Sequence, residues 1–424
     1  MAKTTVSFEK TSGGIPVVTD TIPDAISSGY MVAVNTGSRD EAKDVMGISH
    51  LLEHVVFRET KTRSSFQMSK EIEGAGGEIN AFTAKEVTAF YGVTMKDTAE
   101  TAKDLVADIV TNPVISKKDT NLEKKIVLQE ISMWENDPES YIHKLFAETM
   151  WRGHELSQNE AGTSKIVRGL DYNDLREYYD EKYRKPNLIV FACGAVESDD
   201  VMEWAESNFD PMPNGTANVR RAPTCYGPAY KYYRRKGDHC YVGIGFQGYP
   251  ASHQDRIPLV LLSAILGSGS SSRLFQGVRE DKALVYSIYN SIDQNSDASS
   301  VGTYMSATEE NVLEAIQTTC KIYYDLKKDG LQKGELDRAR NLVKGATVRY
   351  TESTEHRMYS LAKNFIITGR PDTIRERLAA LDAVTEEDIM RVAQDIISPD
   401  ALNIVMYGNK VGDMKDFDIS QIEL

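Results

Sequence analysis

The sequence predicts an α+β protein of two homologous halves, each an antiparallel sheet with helices packed on one face. Three observations carry this. Segments such as "YVGIGFQG" and "NIVMYG" alternate their faces, as half-buried antiparallel strands do. The same succession of strands and helices occurs twice, and Met95, Thr98 and Glu100 match Met305, Thr308 and Glu310, each 210 residues later. Between the two copies lies "DPMPNGTANVRRAPTCYGP", whose Pro, Gly and Asn content marks a linker. The expected organisation is therefore a first domain over 1–210, a linker over 211–228 and a second domain over 229–424.

The elements follow in order. "MVAVNTGSRDE", from Met31, reads as a strand and is similar to "VGIGFQGYPAS", from Val242. In "GISHLLEHVVFRET", residues 47–60, Ile48, Leu51, Leu52, Val55 and Val56 recur at helical spacing and predict an amphipathic helix. Its counterpart is "PLVLLSAILG", from Pro258. "YGVTMKDTAETAKDLVADIV", from Tyr91, and "VGTYMSATEENVLEAIQTTC", from Val301, each read as strand, turn and acidic amphipathic helix. A further helix, "LEKKIVLQEI" from Leu122, pairs with "LDRARNLVKG" from Leu336. A closing strand completes each half, so sheets with helices layered on one face are expected.

Composition narrows the function. The chain has 424 residues, ample for a core, and its 41% hydrophobic and 26% charged residues are those of an ordinary globular protein. A net charge of −14 argues against nucleic acid and anionic membranes as partners and favours cationic ligands such as basic peptides. No apolar run approaches the length of a membrane span. Cys193, Cys225, Cys240 and Cys320 form no C-x-x-C pair and fit unpaired thiols in a reducing compartment. "MAKTTVSFEKTSGG" has neither the apolar core of a signal peptide nor an arginine-rich transit pattern, so a cytoplasmic location is expected.

The helix at 47–60 holds the strongest chemical signal. His50 and His54 are one turn apart on one face, with Glu53 at its edge. The pattern H-x-x-E-H inverts the commoner zinc motif H-E-x-x-H. Two histidines can also merely solvate a helix, but the duplication speaks against that here. At the same offset the second half has Val260, Ser263 and Ala264, so it keeps the helix without the imidazoles. A catalytic zinc centre takes three protein ligands and leaves one position open. The third can come from the acidic helix "TNLEKKIVLQEISMWEND", where Glu123 and Glu130 share a face two turns apart. Spacing alone does not choose between them. The loop "GSGSSSRL" lacks the lysine of a phosphate-binding loop, and its serines form no G-x-S-x-G nucleophile elbow.

With these motifs the chain resembles the pitrilysin or insulinase family of zinc metallopeptidases, in particular the short processing-peptidase branch. That family places a glutamate ligand about 76 residues past the second histidine, and His54 plus 76 is Glu130. The resemblance implies that Zn²⁺ is held by His50, His54 and Glu130, that Glu53 is the general base, and that Glu123, seven residues before the ligand, supports the site. "GGEINAFTAKEVTAFYGV", residues 76–93, resembles the family strand along whose edge the substrate pairs, which implicates Asn80, Ala81 and Phe82. Phe57 matches an aromatic lining a substrate pocket. "LGSGSSSRLFQGVREDKALVYSIYNSI", residues 266–292, resembles the family's glycine-rich loop, with Arg279 and Tyr286 at the positions that help hold the substrate. Presequence-cleaving relatives hold a substrate arginine with acids that here fall on Ser140 and Lys144, and the family stretch Gly-His-Pro-Leu-Gly here reads "GHELSQNEAGT". The implied fold is a clamshell chamber and the implied activity is zinc-dependent cleavage of short or unfolded peptides. The alternative is a non-catalytic peptide-binding or scaffold subunit. Because one chain carries both residue sets, a homodimer is expected, the other arrangement being a heterodimer with a sister subunit.

Overall fold

The structure is a computed structural model that describes residues 4–224 and 227–409. Cys225 and part of the expected linker lie outside the described residues. In the first half of the chain the elements run β1 (Thr5–Lys10), β2 (Pro16–Thr21), β3 (Ser27–Val34), α1 (Ile48–Val56), α2 (Ser65–Gly74), β4 (Glu78–Thr83) and β5 (Thr88–Met95). They continue through α3 (Ala99–Thr111), α4 (Lys117–Asn136), α5 (Pro138–Met150), α6 (Ser164–Gly169), α7 (Tyr172–Lys182), β6 (Leu188–Gly194) and α8 (Ser198–Phe209). The second half runs β7 (Ala229–Arg234), β8 (His239–Gly248), α9 (Arg256–Gly267), β9 (Val285–Gln294), β10 (Ser299–Thr308), α10 (Val312–Asp329) and α11 (Glu335–Tyr350). It closes with α12 (Thr354–Thr368), α13 (Ile374–Ala383), α14 (Glu386–Ile396) and β11 (Asn403–Gly408).

Two sheets form, with strand orders β1-β2-β6-β3-β5-β4 and β7-β11-β8-β10-β9. Most neighbours are antiparallel, but β2 pairs β6 and β7 pairs β11 in parallel. Each parallel pair joins an early strand to the closing strand across a long helical connection, which is what parallel pairing needs.

The chain divides into two compact units. One comprises 1–132, 158–220 and 349–373, and the other 133–157, 221–348 and 374–424. The two halves thus exchange one helix each. In the first unit α12 covers the sheet face opposite the other helices, packing Met358, Leu361, Ala362 and Phe365 against Val18, Met31, Ala33 and Phe191. Arg357 on α12 also pairs with Asp20 on β2 at 2.6 Å, both nearly buried. In the second unit α5 takes the corresponding place, with Leu145, Phe146 and Met150 against Tyr304 and Val405. A Cβ at Gly243 would stand 3.0 Å from the Phe146 ring, so the bare backbone of β8 lets α5 approach.

The first unit's main core lies between its sheet and α1, α3, α7 and α8. Ile48, Leu51, Leu52, Val55 and Val56 are buried there. A nine-residue helix is too short to persist alone, so it is this burial that holds α1. At about 1.5–3 kcal/mol per buried aliphatic side chain, the five contribute on the order of 10 kcal/mol of transfer free energy. The opposite face of the same helix is left to His50, Glu53 and His54.

Candidate metal centre

The helix that carries the histidines starts under unusual local control. Gly47 precedes it with φ 91°, a left-handed conformation that favours glycine, and a Cβ there would lie 2.6 Å from the Ala161 carbonyl oxygen. No side chain at Gly47 can cap the helix. Instead the amides of Gly47 and Ser49 donate to Glu41, at 2.7 Å to Oε2 and 2.8 Å to Oε1. Glu41 is buried, and burial pushes its carboxyl up to about 8 against the pull of these two donors.

One turn further on, His50 and His54 stand with ring centroids 4.7 Å apart. Across from them α4 presents Glu130 and, two turns earlier, Glu123. His50 Nε2 lies 3.7 Å and His54 Nε2 3.5 Å from Glu130 Oε2. One donor atom from each of the three residues falls within 4.8 Å of the others. These gaps are long for hydrogen bonds and suit a shared cation. Bonds of about 2.0–2.2 Å at tetrahedral angles put ligand atoms roughly 3.3–3.6 Å apart. Two imidazoles and a carboxylate are also a donor set that zinc accepts.

The imidazoles are prepared for this. His54 Nδ1 donates to Glu123 Oε2 at 3.1 Å, and Glu123 is buried. A carboxylate only accepts, so Nδ1 carries the hydrogen and Nε2 keeps its lone pair. Burial, assisted by the His54 ring, lowers the His50 pKa to about 4, so His50 is neutral at pH 7. His50 Nδ1 is buried without a hydrogen-bond partner among the described residues. Glu130 is the most open of the three, with its side chain 39% exposed, and it marks the side from which the centre is approached.

Glu53 sits on the same helix and receives a hydrogen bond from Thr83 Oγ1 at 2.5 Å. Burial raises its pKa, while the Thr83 hydroxyl and His54 pull it down and Glu130 pushes it up. Thr83 ends β4, which among the described residues pairs only with β5, so its other edge has no strand partner there. The Ala81 amide is turned to that free edge and donates to Asn80 Oδ1 at 2.9 Å. Ile79 and Ala81 pack toward the α1 side of the sheet, and Phe82 packs on the α12 side, 5.0 Å from the Tyr359 ring. Phe57, just past α1, is half-buried against Phe90, with centroids 6.1 Å apart.

The structure therefore brings His50, Glu53, His54, Glu123 and Glu130 together, with the β4 residues joined to them through Thr83. Arg279 and Tyr286 belong to the second unit, where the structure brings them together. The Arg279 guanidinium lies 4.7 Å from the Phe275 ring and 5.9 Å from that of Tyr286, which is 76% exposed on β9. Ser140 and Lys144 lie on α5 in that unit, and Lys144 pairs with Glu148 at 3.0 Å. Sequence reasoning missed Thr83 and Glu41. Thr83 follows Ala81 by two residues on an alternating strand, a signal that places it on the face of Ala81. Glu41 carries no motif signal.

Fold and donor set together define a class: a duplicated α+β chain with, among the described residues, a single candidate metal centre, in its first half. Comparisons with known proteins name it. Residues 16–164 match the family described as insulinase (peptidase family M16), and residues 169–343 match the peptidase M16 inactive domain. An uncharacterized zinc protease of Streptomyces coelicolor is 32% identical over 395 residues, covering 91% of this chain and 86% of the relative. One from Bacillus subtilis is 29% identical over 389 residues, covering 91% and 94%. Among solved structures, a protease from Helicobacter pylori superposes with a TM-score of 0.88 at 20% identity, covering 96% of this chain and 100% of that one. The chain belongs to the insulinase family of peptidases, M16.

Proposed function

We propose that this chain is a zinc-dependent endopeptidase acting on short or unfolded peptides, with its centre at His50, His54 and Glu130. The observation that carries the reading is the convergence of two imidazole Nε2 atoms and a carboxylate within 4.8 Å, beside a half-buried acid on the same helix. The names of the relatives, zinc proteases, support the choice of metal. When bound, zinc supplies a Lewis acid for the scissile carbonyl and for water.

The residues do the rest. Glu123 fixes the tautomer of His54. Glu53, whose pKa burial raises, takes a proton from the attacking water at its carboxylate and returns one to the leaving amine. The free edge of β4 takes the peptide as an added strand, and backbone pairing of that kind tolerates many sequences. Arg279 and Tyr286 supply donors to the substrate from the second unit. Two such chains form a homodimer in the cytoplasm.

The test uses the purified chain and a quenched peptide. Zinc at about one ion per chain, loss of zinc from His50→Ala and Glu130→Ala, and a zinc-loaded Glu53→Gln with turnover reduced about 10²–10⁴-fold are expected. A wild-type chain that holds no zinc would instead be a binding or scaffold subunit. Near-normal hydrolysis by Glu53→Gln would exclude the mechanism.

A further inference from the structure

Among the buried acids of the first unit, Glu41 has no part in the chemistry just described. A buried carboxylate is costly unless it is fully bonded, and a position needed only for packing is better served by an apolar side chain. The bonds of Glu41 go to Gly47 N and Ser49 N, amides of the first turn of α1 that have no partner within the helix. Its loop is held in turn, because Gln158 Nε2 donates to the Glu41 carbonyl at 3.1 Å. Ser49 is gripped a second time through its hydroxyl, 2.7 Å from the Tyr178 hydroxyl. Ser49 immediately precedes His50, and Glu53 and His54 follow within the next turn.

The second half of the chain is an internal control. There α9 occupies the place of α1, and among the described residues no glutamate carboxylate caps its first turn. Residues 249–255 contain no glutamate, and the side chain of Asp255, at the start of α9, caps none of the helix's amides but pairs with Arg391 at 2.5 Å. The connection from strand to helix is also longer in the first half, residues 35–47, and that extra length is what delivers Glu41. A helix of this architecture therefore forms without the buried acid. The acid accompanies the half that carries His50, Glu53 and His54.

We propose that Glu41 is a positioning residue for the metal centre. Its carboxyl group sets the depth and rotation of the first turn of α1, and thereby where the two imidazoles and Glu53 stand against Glu130. A misplacement of about 1 Å at a reacting centre costs roughly 10²-fold in rate, so a short helix has reason to be clamped at its end.

The inference rests on the zinc-peptidase reading, and the test separates the two. Zinc affinity is measured by chelator competition for wild type, Glu41→Gln, Glu41→Asp and the core control Val110→Ala, on α3. Amide exchange of residues 47–51 is followed in the metal-free proteins, and kcat and KM in the zinc-loaded ones. Both Glu41 variants are expected to lose about 10–100-fold in zinc affinity. Their Ser49 amide should exchange faster without metal, and kcat should fall while KM stays within about threefold. Val110→Ala should lower Tm and leave zinc affinity within about twofold. Wild-type affinity and exchange in both Glu41 variants would overturn the proposal. So would a loss no greater than in Val110→Ala, or failure of both variants to fold, which would assign Glu41 to stability alone. A wild-type chain that binds no zinc would fail the functional reading itself, whereas a zinc-binding wild type with indifferent Glu41 variants fails only this inference.

Discussion

Replacing Glu123 by Ala separates holding the metal from holding its ligand. The carboxylate lies 3.1 Å from His54 Nδ1, is itself buried, and makes a charge-assisted bond. Hydrogen bonds to charged groups contribute about 1.5–3 kcal/mol, which corresponds to roughly 10–150-fold in affinity. Without Glu123 the His54 ring can place its hydrogen on Nε2 and turn away its lone pair. Zinc affinity should therefore fall about 10–100-fold, while the metal still binds at saturating concentration. The cost to folding should be small. Arg58 loses a partner at 3.6 Å, but its side chain is 35% exposed and solvent screens the loss to under about 1 kcal/mol. Chelator competition gives the dissociation constant, and thermal unfolding of the metal-free protein gives the stability. Glu130→Ala provides the contrast, because it removes a donor and should abolish stoichiometric binding. Affinity unchanged within threefold would refute the tautomer argument. Complete loss of zinc from Glu123→Ala would make Glu123 a ligand and refute the assignment of Glu130 as the sole carboxylate donor.

Other predictions follow from the same geometry. Thr83→Val removes a donor that lowers the Glu53 pKa, so the acid limb of the kcat/KM profile should move to higher pH. No shift, or a downward one, would mean that Glu53 is not the group titrating in that limb. Arg357→Ala strands the buried Asp20 carboxylate and should cost about 3–5 kcal/mol, seen as a Tm lower by roughly 10 °C. The double variant Asp20→Ala, Arg357→Ala should recover part of it, and a single variant within 1 °C of wild type would leave α12 held by its apolar face alone. Arg279→Ala and Tyr286→Phe should lower kcat/KM by about 10²-fold with zinc content normal. Unimpaired turnover in both would remove the second unit from the mechanism.

Period and duplication made much of this molecule legible. The apolar positions of α1 repeat at helical spacing and are the ones buried, so its polar face, with His50, Glu53 and His54, could be read directly. Glu123 and Glu130 are two turns apart, and that spacing alone puts them on one face of α4. Pairing partners were less legible. Parallel β2 with β6 depends on where the last strand of the first half returns, a contact of long sequence separation that no local pattern records. The exchange of α5 and α12 was invisible for a related reason. Each helix has an ordinary amphipathic face, and nothing local says which sheet will cover it. Glu41 escaped because a single acid in a loop is commonplace, and only the burial of its carboxylate against two amides makes it unusual.

The duplication also bears on why, among the described residues, one half alone carries a candidate centre. Both halves build the same strand-helix-strand frame, and α9 is as well buried as α1, so the frame needs neither imidazole nor carboxylate. A site added to such a frame needs every one of its groups at once. Without Glu123 His54 would lack a fixed tautomer, without Glu130 the two imidazoles would lack a third donor, and without Thr83 Glu53 would lose its hydrogen bond. In the second half the helix positions have become Val260, Ser263 and Ala264, and Ser263 and Ala264 are buried. Each change exchanges a polar group that is costly to bury for a smaller or apolar one, and restoring one histidine there would add an unpaired imidazole to a closed core. Outside that core the second half presents the exposed Tyr286 and the neighbouring Arg279.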